Sequence, residues 1–69
     1  MSSLQRTARL FRRHRRRWIS AVEIVRVGGL LAWRTRVSEC RRLLGMRIEN
    51  ETTLVGKKYR SRYRYLGKA

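Results

Sequence analysis

The fold of this chain is decided by residues 33–65, which read WRTRVSECRRLLGMRIENETTLVGKKYRSRYRY. In the first part, apolar residues recur at intervals of three and four, which is the spacing of one face of an α-helix. Gly45 predicts the end of this helix, because glycine readily adopts the left-handed conformation of a C-terminal cap. After Gly45 the pattern alternates at every second residue, which predicts β-strands. The apolar stripe of the helix consists of Trp33, Val37, Cys40 and Leu44.

The alternating part predicts a β-hairpin with strands at residues 47–53 and 59–65. The turn between them, at residues 55–58, contains Gly56, and glycine is common in tight hairpin turns. In the second strand, tyrosines and arginines fall on opposite faces, so we expect the tyrosine face to pack against helices. The tyrosine face holds Tyr59, Ser61, Tyr63 and Tyr65, and the arginine face holds Arg60, Arg62 and Arg64.

An N-terminal helix is predicted to start at Ser2 or Ser3 and to end at about Arg15. The run from Arg12 to Arg17 carries dense positive charge, so we expect the helix to fray there unless phosphate is bound. The apolar face of this helix consists of Leu4, Ala8 and Phe11.

A second, short helix is predicted from Ala21 to about Arg26, after an extended piece at Trp18-Ile19. Ser20 and Glu23 have the spacing of a capping box, in which each side chain bonds the backbone N–H of the other residue. This pair is the clearest local structural signal in the chain.

The composition limits the chain to one small domain, residues 1–69, with a strong preference for polyanionic partners. Nineteen Lys and Arg residues against four Asp and Glu residues give a formal net charge of +15. Such an excess repels itself in a compact state, and nucleic acid, an anionic membrane surface or an acidic protein would relieve that repulsion. Arginine dominates, and its guanidinium group forks onto phosphate and guanine in a way that lysine cannot match.

Several other classes of protein are not expected. One cysteine and one histidine cannot form an internal disulfide or a zinc site, and no cofactor is predicted. No apolar stretch approaches the roughly 20 residues of a membrane helix, and no signal peptide is recognised, so we expect a cytoplasmic protein. No acid–base pair, nucleophile triad or phosphate-cradling loop is present, so we expect no catalysis. Cys40 is expected to be a small buried hydrophobic residue.

From Trp18 to Leu66 the chain resembles the small winged helix-turn-helix domains of bacteriophages, prophages and bacteria. The resemblance implies an α+β winged helix-turn-helix, with a basic N-terminal helix at residues 1–17 added to a core at residues 18–66. It also implies binding to double-stranded DNA. The matching elements are Trp18-Ile19-Ser20, Arg36-Val37-Ser38-Glu39-Cys40-Arg41, Gly45, Ile48-Glu49-Asn50, Gly56-Lys57-Lys58 and Tyr63-Arg64-Tyr65.

The connection before the third helix departs from this resemblance. Residues 28–32 are more numerous and more apolar than a tight helix-turn-helix turn. The third helix therefore begins somewhere between Leu30 and Thr35, with Thr35 itself a candidate cap. The angle between the second and third helices is left open by the sequence.

The third helix is the candidate DNA reader, because an α-helix fits the major groove, where each base pair presents a distinct pattern of donors and acceptors. The alternative is an ordinary solvated face in which Glu39 pairs with Arg36 or Arg42. The residues expected to read bases are Arg34, Thr35, Arg36, Ser38, Glu39 and Arg42.

Phosphate binding is expected from the basic run and from the hairpin. The alternatives are a disordered, solvated run and a solvated strand face that protects a sheet edge. The expected phosphate-binding residues are Arg12, Arg13, Arg15, Arg16, Arg17, Lys57, Lys58, Arg60, Arg62 and Arg64.

The expected role is a small transcriptional regulator or DNA-architectural factor. An RNA-binding or ribosome-associated protein would have the same composition, and a virion component could use the same fold to grip another protein. A membrane partner is not expected, because the amphipathic segment is too short. Small winged helices often act in pairs, so a homodimer is one expected state, although no residue marks a dimer face.

Overall fold

The helices and strands of the computed structural model, which describes residues 2–68, follow one another in the order α1, β1, α2, α3, β2, β3. Together they form a small α+β domain with three helices and a three-stranded antiparallel sheet. The helices are α1 (Ser3–Arg13), α2 (Ala21–Gly28) and α3 (Trp33–Leu43), and the strands are β1 (Trp18–Ser20), β2 (Met46–Val55) and β3 (Lys58–Lys68).

The sheet has the order β1-β3-β2, so the last strand of the chain lies in the middle. Ile19 of β1 pairs with Tyr63, and Glu49 of β2 pairs with Arg64. Residues 56 and 57 form the turn between β2 and β3, and Gly56 adopts the left-handed φ of 64° that the first position of a type II′ hairpin turn requires. The predicted hairpin and the short strand at Trp18 are therefore both present, and β1 ties the N-terminal half of the chain to β3.

Helix caps follow the sequence prediction at α1 but not at α2. The Ser2 hydroxyl accepts the backbone N–H of Gln5 at 3.1 Å, and the Gln5 side chain accepts the N–H of Ser2 at 3.1 Å. At α2, Ser20 occupies the N-cap position, but its side chain makes no capping hydrogen bond. The predicted capping box with Glu23 is therefore not formed. Ser20 is also the last residue of β1, opposite Arg62, so the strand governs the direction of its side chain.

The bounds of the helices also differ from expectation. The first helix ends at Arg13 rather than at about Arg15, and α2 continues to Gly28, beyond the expected end at about Arg26. The third helix begins at Trp33, and its N-cap is Ala32, so Thr35 is not a cap. The connection between α2 and α3 is a short turn in which the Trp33 N–H donates to the Gly29 carbonyl at 3.0 Å.

The core lies between the helices and one face of the sheet. Phe11, Ile24 and Cys40 are completely buried, one from each helix. The half-buried Trp33 packs edge-on against Tyr63, with ring centroids 5.8 Å apart, so α3 is attached directly to the central strand. The buried apolar residues are Ala8, Phe11, Ile19, Ile24, Val37, Cys40, Met46, Ile48, Tyr63 and Tyr65.

Gly28 permits the close approach of the three helices. A Cβ atom at this position would lie 3.1 Å from the Cα atom of Trp33 and 3.2 Å from the Oγ1 atom of Thr7. Thr7 is completely buried, and its hydroxyl donates to the Ser3 carbonyl at 2.8 Å. Because backbone atoms bound the space on one side, a larger residue would push α2 away from the start of α3.

We expect Gly28→Ala to destabilise the protein by about 1–3 kcal/mol, as overpacking of a tight site does. At a solvent-exposed site in a helix the same change stabilises by roughly 0.5–1 kcal/mol, because alanine has the higher helix propensity. A loss of stability would therefore indicate that packing at Gly28 outweighs helix propensity. The free energy of unfolding from denaturant titration is the measurement.

Gly45→Ala is the comparison variant, because its Cβ would meet nothing within 4 Å and only the positive φ of 63° would be strained. A Gly28→Ala protein as stable as the wild type would contradict the close approach described above.

Candidate nucleic-acid interface

The exposed face of α3 presents four of the six residues predicted to read bases. Val37 and Cys40 are buried on the opposite side of the helix, with Trp33 and Leu44 packed against the same core. This apolar anchor leaves the opposite side of the helix exposed. The exposed residues on it are Arg34, Thr35, Ser38 and Arg42.

Arg36 and Glu39, the other two predicted base readers, are bound to each other. Arg36 Nε lies 2.9 Å from Glu39 Oε1, and the two side chains are only 28% and 20% exposed. The two atoms have no hydrogen-bond partner, so the contact is an ion pair with poor alignment. The intrahelical pair that the sequence left open as an alternative is therefore present. Both residues are therefore left out of the candidate reading face, which consists of Arg34, Thr35, Ser38 and Arg42.

Arg41 has a structural contact that the sequence analysis did not predict. Its Nε and Nη2 atoms donate to the Ile48 carbonyl at 3.2 and 2.8 Å. The contact joins the last turn of α3 to β2, which is an edge strand of the sheet. The position of α3 relative to the β2–β3 hairpin therefore depends on the Arg41 side chain. The only sequence signal was a basic residue in the last turn of a helix, where it commonly meets free carbonyls.

The outer face of the sheet neutralises two of the predicted phosphate-binding arginines. Arg62 donates to Glu51 Oε1 from Nε at 3.0 Å and from Nη2 at 2.6 Å. Arg64 binds Glu49 in the same way, with Nε at 2.8 Å. Both guanidinium groups also lie over the indole ring of Trp18, at 4.3 and 4.5 Å from its centroid. These arginines form a packed ladder with their carboxylates rather than a free row of positive charge.

The tip of the hairpin keeps its free positive charge. Lys57, Lys58 and Arg60 are exposed, and no ion pair of theirs occurs within residues 2–68. Arg60 lies opposite Thr53 rather than opposite a glutamate, which explains why the ladder stops before the tip. The part of the hairpin that can meet a polyanion is therefore its distal end.

The basic run between α1 and β1 is a defined turn, contrary to the expectation of fraying. The Arg16 N–H donates to the Tyr65 carbonyl at 2.8 Å, and the Arg17 N–H donates to the His14 carbonyl at 2.9 Å. Arg16 has a left-handed φ of 66°, which a non-glycine residue adopts at some cost in energy. The bond to β3 therefore holds the turn in a conformation that the chain alone would avoid.

The arginines of this turn differ in their surroundings. The Arg15 guanidinium packs over Gly67, where an added Cβ would lie 2.8 Å from Nη2. Arg15 therefore packs against the end of β3. The other predicted phosphate binders of the run are also exposed, but they belong to two elements. Arg16 and Arg17 lie in the turn, whereas Arg12 and Arg13 end α1, and Arg13 lies with Arg6 and Arg9 on the outer face of that helix.

Cys40 lies on the buried side of α3. Burial raises the pKa of its thiol from the ordinary value of 9.0 to about 11. The positive charge of Arg12 lowers this pKa, and the negative charge of Glu39 raises it, both less than burial does. The prediction of a small buried residue is confirmed, and Arg12 is close enough to α3 to act on its electrostatics.

Metal-binding clusters and membrane-spanning helices are both absent from residues 2–68. This part of the chain contains no group of three or more His, Cys, Asp or Glu residues that could hold a metal ion. It also contains no helix long and apolar enough to cross a membrane. No family model, no curated protein and no solved structure matches the chain.

The raised pKa predicts an unreactive thiol. At pH 8 a thiol with a pKa of about 11 is ionised in about one molecule in a thousand, and the thiolate is the reactive form. We expect Cys40 to react with an aromatic disulfide reagent far more slowly in the folded protein than in denaturant. The rate in the folded protein should rise with pH up to about 11. Rapid labelling at pH 8 without denaturant would contradict the burial of Cys40.

Proposed function

We propose that this protein binds double-stranded DNA as a winged helix-turn-helix domain, with α3 in the major groove and the β2–β3 hairpin as the wing. The observation that carries the proposal is the exposed face of α3, which presents Arg34, Thr35, Ser38 and Arg42 on a helix anchored from behind. Polar side chains on the free face of a rigid helix are the arrangement that reads base edges.

The order of elements supports the fold part of this proposal. A strand and a short helix precede the reading helix, a glycine ends it, and a hairpin follows. This is the order that the resemblance to small winged helix-turn-helix domains implied. The contacts of Trp33 with Tyr63 and of Arg41 with Ile48 attach α3 to both strands of the hairpin. Helix and hairpin would therefore meet DNA as one rigid unit.

Each exposed side chain of α3 has a role that suits DNA. Arg42 can donate two hydrogen bonds to the O6 and N7 atoms of guanine, and Ser38 and Thr35 can bond to several bases. The guanidinium carbon of Arg34 lies 5.2 Å from the centroid of the Trp33 ring, which holds its charge near the start of the helix. Glu39 is the one carboxylate of α3 that DNA phosphates would repel, and its charge is paired with that of Arg36.

The charge distribution supports a large contribution from phosphate contacts. Ion pairs within residues 2–68 engage three of the nineteen lysines and arginines, all with glutamates. The hairpin tip, with Lys57, Lys58 and Arg60, would contact the backbone or the minor groove. The exposed arginines after α1 add contacts that do not depend on sequence. A small regulator or DNA-architectural factor is the role we favour.

The proposal predicts that Ser38→Ala combined with Arg42→Ala lowers specificity more than affinity. Loss of a bidentate arginine contact costs about 1–3 kcal/mol of discrimination on the cognate site, whereas binding to random duplex persists through phosphate contacts. Selection from a random duplex pool, with structured RNA as competitor, first supplies the cognate site, and competition titrations then give both affinities.

Equal losses on cognate and random duplex would refute base reading by α3. A preference for the structured RNA over every duplex would refute the DNA proposal itself. The matched control is Arg26→Ala, because Arg26 is exposed on α2 and lies outside both contact regions.

The hairpin makes a separate prediction about salt. Lys57→Ala with Lys58→Ala should reduce the slope of log affinity against log salt by up to about two units, one for each lost phosphate contact. Arg47→Ala with Lys68→Ala removes the same charge from the opposite end of the hairpin, and its slope should change less. If both double variants change the slope equally, the effect is one of net charge and the tip is not a contact.

A further inference from the structure

The outer face of α1 carries a second cluster of arginines that has no part in the reading face or the hairpin. Arg6, Arg9 and Arg13 are exposed and spaced by three and four residues, so they lie in one row along the helix. The sequence of α1, SLQRTARLFRR, contains no acidic residue that could neutralise them. Like charges at these spacings repel one another within a helix. A bound anion would remove this repulsion.

These three arginines also line a shallow groove between α1 and α2. The groove is completed by the apolar side chains of Leu10 and Val27. Arginines from successive turns of one helix therefore line a single depression. Arginine donates to phosphate oxygens through a planar fork, so such a groove suits a phosphate backbone. It offers no mixed set of donors and acceptors with which to read bases.

The α1 row and the exposed face of α3 belong to different helices, and each lies opposite the side of its helix that enters the core. Both helices turn their buried sides into the same core, α1 through Ala8 and Phe11 and α3 through Val37 and Cys40. Because each exposed face is opposite its own buried side, the two exposed faces diverge.

Because the two exposed faces diverge, a single short, straight duplex would not contact both of them. The domain measures 35 × 24 × 19 Å, so a duplex would have to bend sharply around it to reach from α3 to the outer face of α1. DNA has a persistence length of about 150 base pairs and resists such bending over one or two helical turns. A second duplex can approach the α1 face without any bending.

We propose that the outer face of α1 binds the phosphate backbone of a second DNA segment, so that one molecule bridges two duplexes. The inference rests on the proposed function for its first contact, through α3 and the hairpin. It adds a second surface, Arg6, Arg9 and Arg13, that binds without sequence preference. Bridging of this kind favours the architectural role over that of a simple regulator.

The test compares two charge-matched triple variants. The α1 variant carries Arg6→Gln, Arg9→Gln and Arg13→Gln, which keeps good helix formers at all three positions. The control variant removes the same charge elsewhere and carries Arg26→Gln, Arg47→Gln and Lys68→Gln. Circular dichroism and thermal unfolding establish that both are folded.

Bridging is measured as the recovery of a fluorescent duplex on beads that carry a second, tethered duplex. Binding to one duplex is measured separately by anisotropy, with a trace of labelled short duplex titrated with protein, so that the duplex occupies mainly the tighter surface. We expect the α1 variant to lose bridging by about tenfold or more, since three phosphate contacts are lost. Its affinity for one duplex should change no more than that of the control variant.

The other outcomes are distinct. If the wild type binds one duplex but never bridges, the α1 inference is wrong and the proposed function stands. If the wild type binds no duplex, the proposed function is wrong, and the α1 inference that rests on it is wrong as well. Equal bridging by both variants, or a dimer in sedimentation at the assay concentration, would assign bridging to something other than α1. Binding to anionic phospholipid vesicles that depends on the α1 arginines, without any bridging, would identify a membrane surface as the partner and overturn the proposal.

Discussion

This structure depends on one constraint: the burial of a small apolar cluster has to outweigh the repulsion among the positive charges of the chain. The chain carries a net charge of +15, and ten apolar residues, contributed by all three helices and all three strands, form the core. Such a core leaves little surplus stability in a chain of 69 residues. The positive charge therefore lies outside the core, and the glutamates that could neutralise it are few. Three of the four glutamates pair with arginines: one pair lies within α3, and two join β2 to β3.

This use of the glutamates divides the arginines into structural and free groups. Arg62 and Arg64 stack on Trp18 and bind Glu51 and Glu49, which stiffens the sheet at the point where β1 joins it. Arg41 has no carboxylate but binds the Ile48 carbonyl, which sets the position of α3 beside the hairpin. Most of the arginines and lysines without such partners lie on the free face of α3, at the hairpin tip, in the turn after α1 and along the outer face of α1. A polyanion would meet a preformed pattern of charge on a rigid body, so little order would have to be gained on binding.

The spacing of apolar residues predicted the architecture well, because this spacing follows from which side chains are buried away from water. The stripe of Trp33, Val37, Cys40 and Leu44 and the tyrosine face of β3 are both present, and Tyr63 and Tyr65 are buried as expected. Tyr59 continues the same alternation but is 75% exposed, because the hairpin extends beyond the helices that cover its base. The candidate site was predicted less completely. Residue type and helical spacing predicted which face of α3 is exposed, but they could not separate Ser38 and Arg42, which are free, from Arg36 and Glu39, which are paired.

The sequence by itself determined the elements, their order and the sign of the charge, because helix and strand periods and composition are local properties. Only the tertiary structure decided which charges are free. Arg62 and Arg64 are neutralised by residues on another strand, and the Arg15 guanidinium packs over Gly67. Arg16 is fixed only through its backbone N–H, which donates to the Tyr65 carbonyl, so its side chain stays exposed. Such partners are distant in the chain, and no local pattern encodes them. The same holds for Ser20 and Glu23, whose capping spacing is correct but whose box does not form, because Ser20 belongs to a strand that pairs with β3.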